Sequence, residues 1–152
     1  MNLFGVMEVS GSAMLAERQR AEVVTSNLAN AETTRTPQGG PYQRQHVVFG
    51  TAAPGTFSHE LSAAGMNMPM AMNDPRGQGV KVQAVVADTA APVRKYDPSH
   101  PDADAEGFVN MPAINPVEEM ADLMGAARSY ELNATAVQAT RGMITQSLDL
   151  LR

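Results

Sequence analysis

At 152 residues the chain has room for one ordinary domain, or for a small domain plus segments that bury their apolar surface on neighbours. Hydrophobic residues make up 43% but aromatics only 5%, with no Trp, while Met (11), Gly (12) and Pro (10) are plentiful. Large rigid core anchors are therefore scarce, and a self-sufficient core is not expected. The net charge of -5, a pI near 5.1 and the lack of a basic stripe exclude a nucleic-acid surface. Zero cysteines exclude disulfides, thiolate metal sites and thiol catalysis. No apolar run reaches the roughly 18 residues of a membrane span, and the N-terminus lacks both the basic region and the apolar core of a cleaved Sec-type signal.

In chain order, residues 1–31 read as a helix. Leu3, Met7, Ser10, Met14, Glu17, Ala21, Val24 and Leu28 recur at alternating steps of four and three, most of them apolar. Gly5 and Gly11 each weaken the first turns by roughly 1 kcal/mol relative to Ala. The pattern lapses after Asn30, where Thr33, Thr34, Thr36, Pro37, Gly39, Gly40 and Pro41 gather. Asn27 and Asn30 lie on one face at that point. Asn tolerates left-handed backbone and offers an amide to stray carbonyls, so the pair is expected to end the helix and pin the following loop.

Residues 32–113 have the composition of loops and short strands. The strand candidates are Gln45 to Phe49 and Gly79 to Val86, where Val80, Val82 and Ala84 alternate with Lys81 and Gln83. Between them, from about 50 to 78, Gly, Pro, Ala, Ser and Met follow no period, as expected of a flexible insertion.

Residues 114–152 read as a second helix, about 50 Å long. Asn115 is the expected N-cap, Pro116 the first helical residue, and Glu118 stands three places after the cap as in a capping box. Met120, Leu123, Ala127, Tyr130, Ala134, Val137, Arg141, Ile144, Leu148 and Leu151 keep the four-and-three rhythm of a coiled-coil seam, broken only by Arg141. Arg141 either pairs with a partner's carboxylate, Glu17 being the obvious opposite number, or snorkels to a groove edge. With Leu3, Met7, Met14, Ala21, Val24 and Leu28, these residues form the candidate assembly seam. The expected fold is α+β, with terminal helices forming a coiled coil around a small irregular β-rich middle region. The helices pair with each other or with those of other copies. Their many alanines bury little area each, so association between chains supplies the remaining burial.

Candidate chemistry is thin. Asp102, Asp104, Glu106 and Gly107 copy the opening of a calcium loop, but Ala113 stands where the bidentate Glu belongs, and a solvated acidic turn is the expected reading. Met66, Met68, Met70 and Met72 would share one side of an extended strand, as a soft Cu(I) site requires. A Met-rich loop packing adaptably on a neighbour is the plainer reading. His46, His59 and His100 lie far apart, and no Ser has a nucleophile context. Neither an enzyme nor a cofactor, a metal or a small-molecule substrate is expected.

Ser12-Ala13, Gln19-Arg20, Ser26-Asn27-Leu28-Ala29-Asn30-Ala31 and Thr33 resemble the signature shared by flagellar rod, hook and hook-associated proteins. Gly40-Pro41-Tyr42, Val47-Val48-Phe49, Tyr96-Asp97-Pro98, Pro101, Ala103-Asp104, Gly107-Phe108-Val109, Pro112, Asn115 and Glu119-Met120 follow. These are similar to the proximal-rod members of the flagella basal body rod protein family. Ala127-Arg128-Ser129-Tyr130 and Asn133 match the family's C-terminal helix, and only residues 50–78 depart from its pattern. The resemblance implies a structural subunit of the periplasm-spanning rod that polymerises through its terminal helices, transmits torque, and is exported uncleaved by the flagellar type III apparatus. The partners it implies are copies of the chain, other proximal and distal rod proteins, the rod-base adaptor, the inner-membrane MS ring and the export apparatus. Contacts between copies would be heterologous, since a tube repeats head to tail without ring closure. Another rod protein, a Met-rich copper-handling protein and an export chaperone are the rival readings.

Overall fold

The computed structural model describes residues 3–52 and 79–150. The chain forms α1 (Leu3–Ala29), β1 (Gln45–Thr51), β2 (Val80–Ala87), β3 (Val93–Tyr96), β4 (Phe108–Met111) and α2 (Pro116–Asp149). This is the α+β architecture read from the sequence, two long terminal-region helices around a small β-containing middle. Gly50 and Thr51, expected at the start of the insertion, complete β1 by pairing with Lys81 and Val80, and residues 53–78 of that stretch lie outside the described residues. Met66, Met68, Met70, Met72, His59 and Leu151 lie outside the described residues.

α2 starts as its sequence dictates. Asn115 Oδ1 accepts the N–H of Val117 (3.1 Å) and Pro116 occupies the first turn, where its missing N–H costs nothing. Glu118 closes the cap differently from a standard capping box, since its Oε1 accepts from the Asn115 side-chain amide (3.1 Å). α1 ends at Ala29, slightly short of the expected residue 31, and without left-handed geometry, because no described non-Gly residue has a positive φ. The expectation for Asn30 holds in its other half. Its amide donates to the carbonyl of Ser26 (2.9 Å), which also accepts the Asn30 backbone N–H (3.1 Å), and its Oδ1 accepts from Thr33 Oγ1 (3.1 Å). The left-handed turns fall instead on Gly39 and Gly40, in a loop closed by Thr36 and Gly40 (2.9 Å).

α1 packs along α2 and, on another side, along β1 and β2. The helices run antiparallel, since Asn27 near the end of α1 meets Glu119 in the first turn of α2, and the earlier Arg20 meets the later Asp122. On α2, Glu119, Ala126 and Thr140 are buried at multiples of seven residues, the repeat of a helix facing one neighbour along its length. β1 and β2 form an antiparallel ribbon with a bulge after Val48. The ribbon lies beside α1 and is fastened at both ends. Asn27 holds Gln45 at one end, and at the other Ser12 Oγ accepts the N–H of Val80 (3.0 Å). The lengths agree, because the helix rises about 22 Å from Ser12 to Asn27 and seven strand residues span about 20–23 Å. Gly79 is buried against this clamp, and a Cβ there would collide with Ser12 Oγ.

β3 and β4 form a second antiparallel pair. Tyr96 meets the Phe108 ring edge-on at 5.3 Å, and Arg94 lies 4.6 Å from that ring's centre. Gly107, at φ +82°, allows the return turn, and any Cβ there would press on Tyr96 and Pro98. These strands were not read from the sequence, because four residues are too few for an alternation to stand out.

Candidate assembly interface

The terminal helices are joined at a buried polar junction. Asn27 is 1% exposed and uses all its hydrogen-bonding capacity. Its Oδ1 accepts from Gln45 N–H (2.9 Å) and Tyr42 Oη–H (3.2 Å), and its Nδ2 donates to Gln45 O (2.9 Å) and Glu119 Oε2 (3.0 Å). By pairing with both backbone groups of Gln45, Asn27 acts as a short strand and starts β1. Glu119 is fully buried, and its other oxygen accepts from the Arg44 guanidinium at 2.5 Å, so the carboxylate is compensated on both sides. Arg44 also lies 3.8 Å from Asp122, which pairs with Arg20 at 3.2 Å. One connected network thus ties α1, the 42–45 segment and α2 together.

Four residues quoted for the family likeness converge here although they lie far apart in the chain: Ser26, Asn27, Tyr42 and Glu119. Tyr42 Oη stands 3.4 Å from Ser26 Oγ while it donates to Asn27. Leu28 and Pro41 are half-buried next to this knot in the chain, while Ala29 and Gly40 are exposed. Glu119 and Arg44, the residues most committed to the junction, were not singled out as site residues. A charged residue in a helix looks like surface until its partner is known.

The candidate seam divides into two groups. Val24 is buried, and Met7, Met14, Ala21, Leu28, Leu123, Ala134, Val137 and Ile144 are half-buried. Leu3, Met120, Ala127, Tyr130, Arg141 and Leu148 are exposed on the single chain. The helix register also separates Glu17 from Arg141 within one chain. Counting from the contact of Asn27 with Glu119, Arg141 lies about 18 Å further along the axis than Glu17. Glu17 stands instead 3.9 Å from Arg20, with one carboxylate oxygen buried and lacking a hydrogen-bond partner among the described residues.

What most distinguishes the surface is how much of it is apolar. Among the described residues the buried apolar side chains are Ala16, Val24, Val109 and Ala126, none larger than Val. Val117 (74%), Met120 (53%) and Met124 (67%) meanwhile lie exposed at steps of three and four on the outer face of α2. Leu132, Leu148 and Leu150 extend this exposure towards its end. Leu15 stands out on α1, and Val48, Phe49, Val85 and Val86 on the ribbon. Large apolar groups gathered on the surface beside so small a buried apolar set, among the described residues, are what a surface made for association presents.

The acidic turn between β3 and β4 spends its carboxylates locally. Asp104 accepts the N–H groups of Phe108 (2.8 Å) and Glu106 (3.0 Å) and one Arg94 N–H (3.0 Å). These donors, the Phe108 N–H foremost, hold its carboxyl below the usual value of 3.8. Asp97 is lowered chiefly by the Ser99 hydroxyl, and Asp102 accepts from Thr34 Oγ1 (2.7 Å), which docks the turn on the loop after α1. The geometry is that of a self-satisfied turn.

Helices from the two terminal regions of a chain, locked at one polar junction and carrying unburied apolar faces, are those of a structural subunit with surface left for association. The family described as "Flagella basal body rod protein" matches residues 7–35, and that described as "Flagellar basal body rod FlgEFG protein C-terminal" matches residues 105–150. The flagellar basal-body rod protein FlgC of Borreliella burgdorferi is 36% identical over 156 residues, covering 100% of this chain and 99% of that protein. The FlgC of Bacillus subtilis is 40% identical over 154 residues, and that of Salmonella typhimurium 36% over 151, each covering at least 98% of both chains. The chain belongs to the flagellar basal-body rod protein family, as a structural subunit of the proximal rod. Its place is the flagellar basal body, in association with other components of that structure.

Proposed function

We propose that this rod subunit polymerises through the exposed faces of its terminal helices, 1–31 and 114–152, to build a torque-transmitting shaft with residues 32–113 on the outside. The carrying observation is the imbalance between a buried apolar set no larger than Val and the many exposed Leu, Met and Val side chains. Each large side chain newly buried between subunits is worth about 1.5–3 kcal/mol when covered fully, so a handful suffices to drive assembly. The shaft would span the periplasm, with copies of the chain, other proximal and distal rod proteins, the rod-base adaptor and the MS ring as neighbours. Export through the flagellar type III apparatus, without cleavage, suits a chain whose fold is completed only on assembly. Its role is mechanical.

Deletion and imaging test this directly. Cells lacking the chain should build basal bodies that stop before the rod, lose swimming, and recover both when the chain is supplied. Intact rods in the deletion strain would overturn the proposal.

A further inference from the structure

Besides the outer ridge of α2, the structure offers a concave surface of matching kind. Between α1 and β2 runs an open groove of about 460 Å³, with Ser12 and Ala16 on the helix side and Val80 and Val82 on the strand side. Leu15, 66% exposed, stands at its edge. Its charged lining consists of Arg18, Glu22 and Lys81. Phe49 and Val85 of the ribbon keep 38% and 48% of their surface exposed.

The convex feature is the run Val117, Met120 and Met124 on the face of α2 turned away from α1. Glu118, Arg128 and Glu131, all exposed, lie beside it. Arg18 and Glu22 pair with each other at 3.0 Å, so Lys81 is the charge of the groove lining outside that pair, and it has acidic counterparts beside the ridge in Glu118 and Glu131. Met is well suited to such a ridge, since its unbranched thioether adapts to an irregular groove. Groove and ridge occupy different elements of the same molecule, so every copy presents both surfaces. A head-to-tail contact between them is heterologous, and it builds an open filament where its rotation does not close a ring.

We propose that the Val117–Met120–Met124 ridge of one copy docks into the α1/β2 groove of the next, with Lys81 facing Glu118. This rests on the rod reading above and specifies which surfaces meet. Lys81 orients the contact, and the ridge supplies its apolar anchor.

The absence of cysteine makes the test clean. Full-length Leu15→Cys and Met124→Cys chains are purified, mixed at equal concentration under assembly conditions and oxidised. The expected result is a mixed dimer that exceeds either self-dimer several-fold and vanishes above about 0.5 M salt if charge guides docking. Met124→Cys chains joining only to themselves, or assembly without any mixed dimer, would overturn the proposal, the first indicating a symmetric contact and the second another occupant of the groove. In cells, Glu118→Lys should reduce swimming, and Lys81→Glu in the same chain should restore most of it. Equal defects in the single and double variants would contradict the pairing. Failure of either arm, with deletion still abolishing the rod, removes the ridge-and-groove contact and leaves the rod reading standing.

Discussion

Asn27 concentrates the fold's demands on one side chain. It must donate twice and accept twice in a buried setting, and among the side chains of its size only an amide can do so. Replacing it by Asp keeps the shape but turns both donors into acceptors, leaving Gln45 O unmatched and setting two carboxylates against each other at Glu119. Asn27→Asp should cost about 3 kcal/mol or more, measured by denaturant melting of the helical signal. Glu119→Gln on top of it should recover part of the loss, because the amide introduced on α2 could then donate to the new carboxylate on α1, a coupling that independent effects would not produce. The sequence singled out Asn27 and placed it near the helix end. It could not show that the amide serves β1 and α2, because those partners lie 18 and 92 residues away.

At the level of elements, what could be read depended on length and on which faces are apolar. α1 and α2 are long enough for a sustained period, β1 carries the run Val47–Val48–Phe49 and β2 the alternation of Val80, Val82 and Ala84, so these four were legible. β3 and β4 are four residues each, and what signals them is the chemistry between them, Asp104 and Gly107. The line of burial along α2 was less legible. The seam was read through Met120, Ala127, Ala134 and Arg141, whereas burial within the chain follows Glu119, Ala126 and Thr140, one residue earlier. The displacement arises because α2 is apolar on two faces and its inner face contains Glu, Ser, Asn and Thr, which count against a seam in any hydrophobic pattern. For the β3–β4 turn, titration gives a direct check. Asp104 has its folded value lowered, so its stabilisation is present above the usual 3.8 and is lost as pH falls through the folded value. The amide signals of Glu106 and Phe108 should shift together with a midpoint below 3.8, and Asp104→Asn should abolish that titration. A midpoint at or above 3.8 would show that the Phe108 N–H and Arg94 do not hold the carboxylate.

For the whole molecule, the account turns on the disproportion, among the described residues, between a polar junction that specifies one arrangement and a small set of buried apolar side chains. The junction joins the two helices, and Val, Met and Leu side chains of α2 lie exposed on the single chain. In the free chain, α2 beyond its first two turns rests largely on small residues against α1, and such segments open locally at low free energy. The most direct measurement is hydrogen exchange along α2 in the free full-length chain and in assembled rods. If burial is completed only between subunits, amides from about residue 120 to 145 exchange at least roughly 100-fold more slowly in the rod than in the free chain, with the change extending over both faces of the helix. Equal protection in the two states would mean that the chain completes its burial alone, and would contradict assembly through these faces.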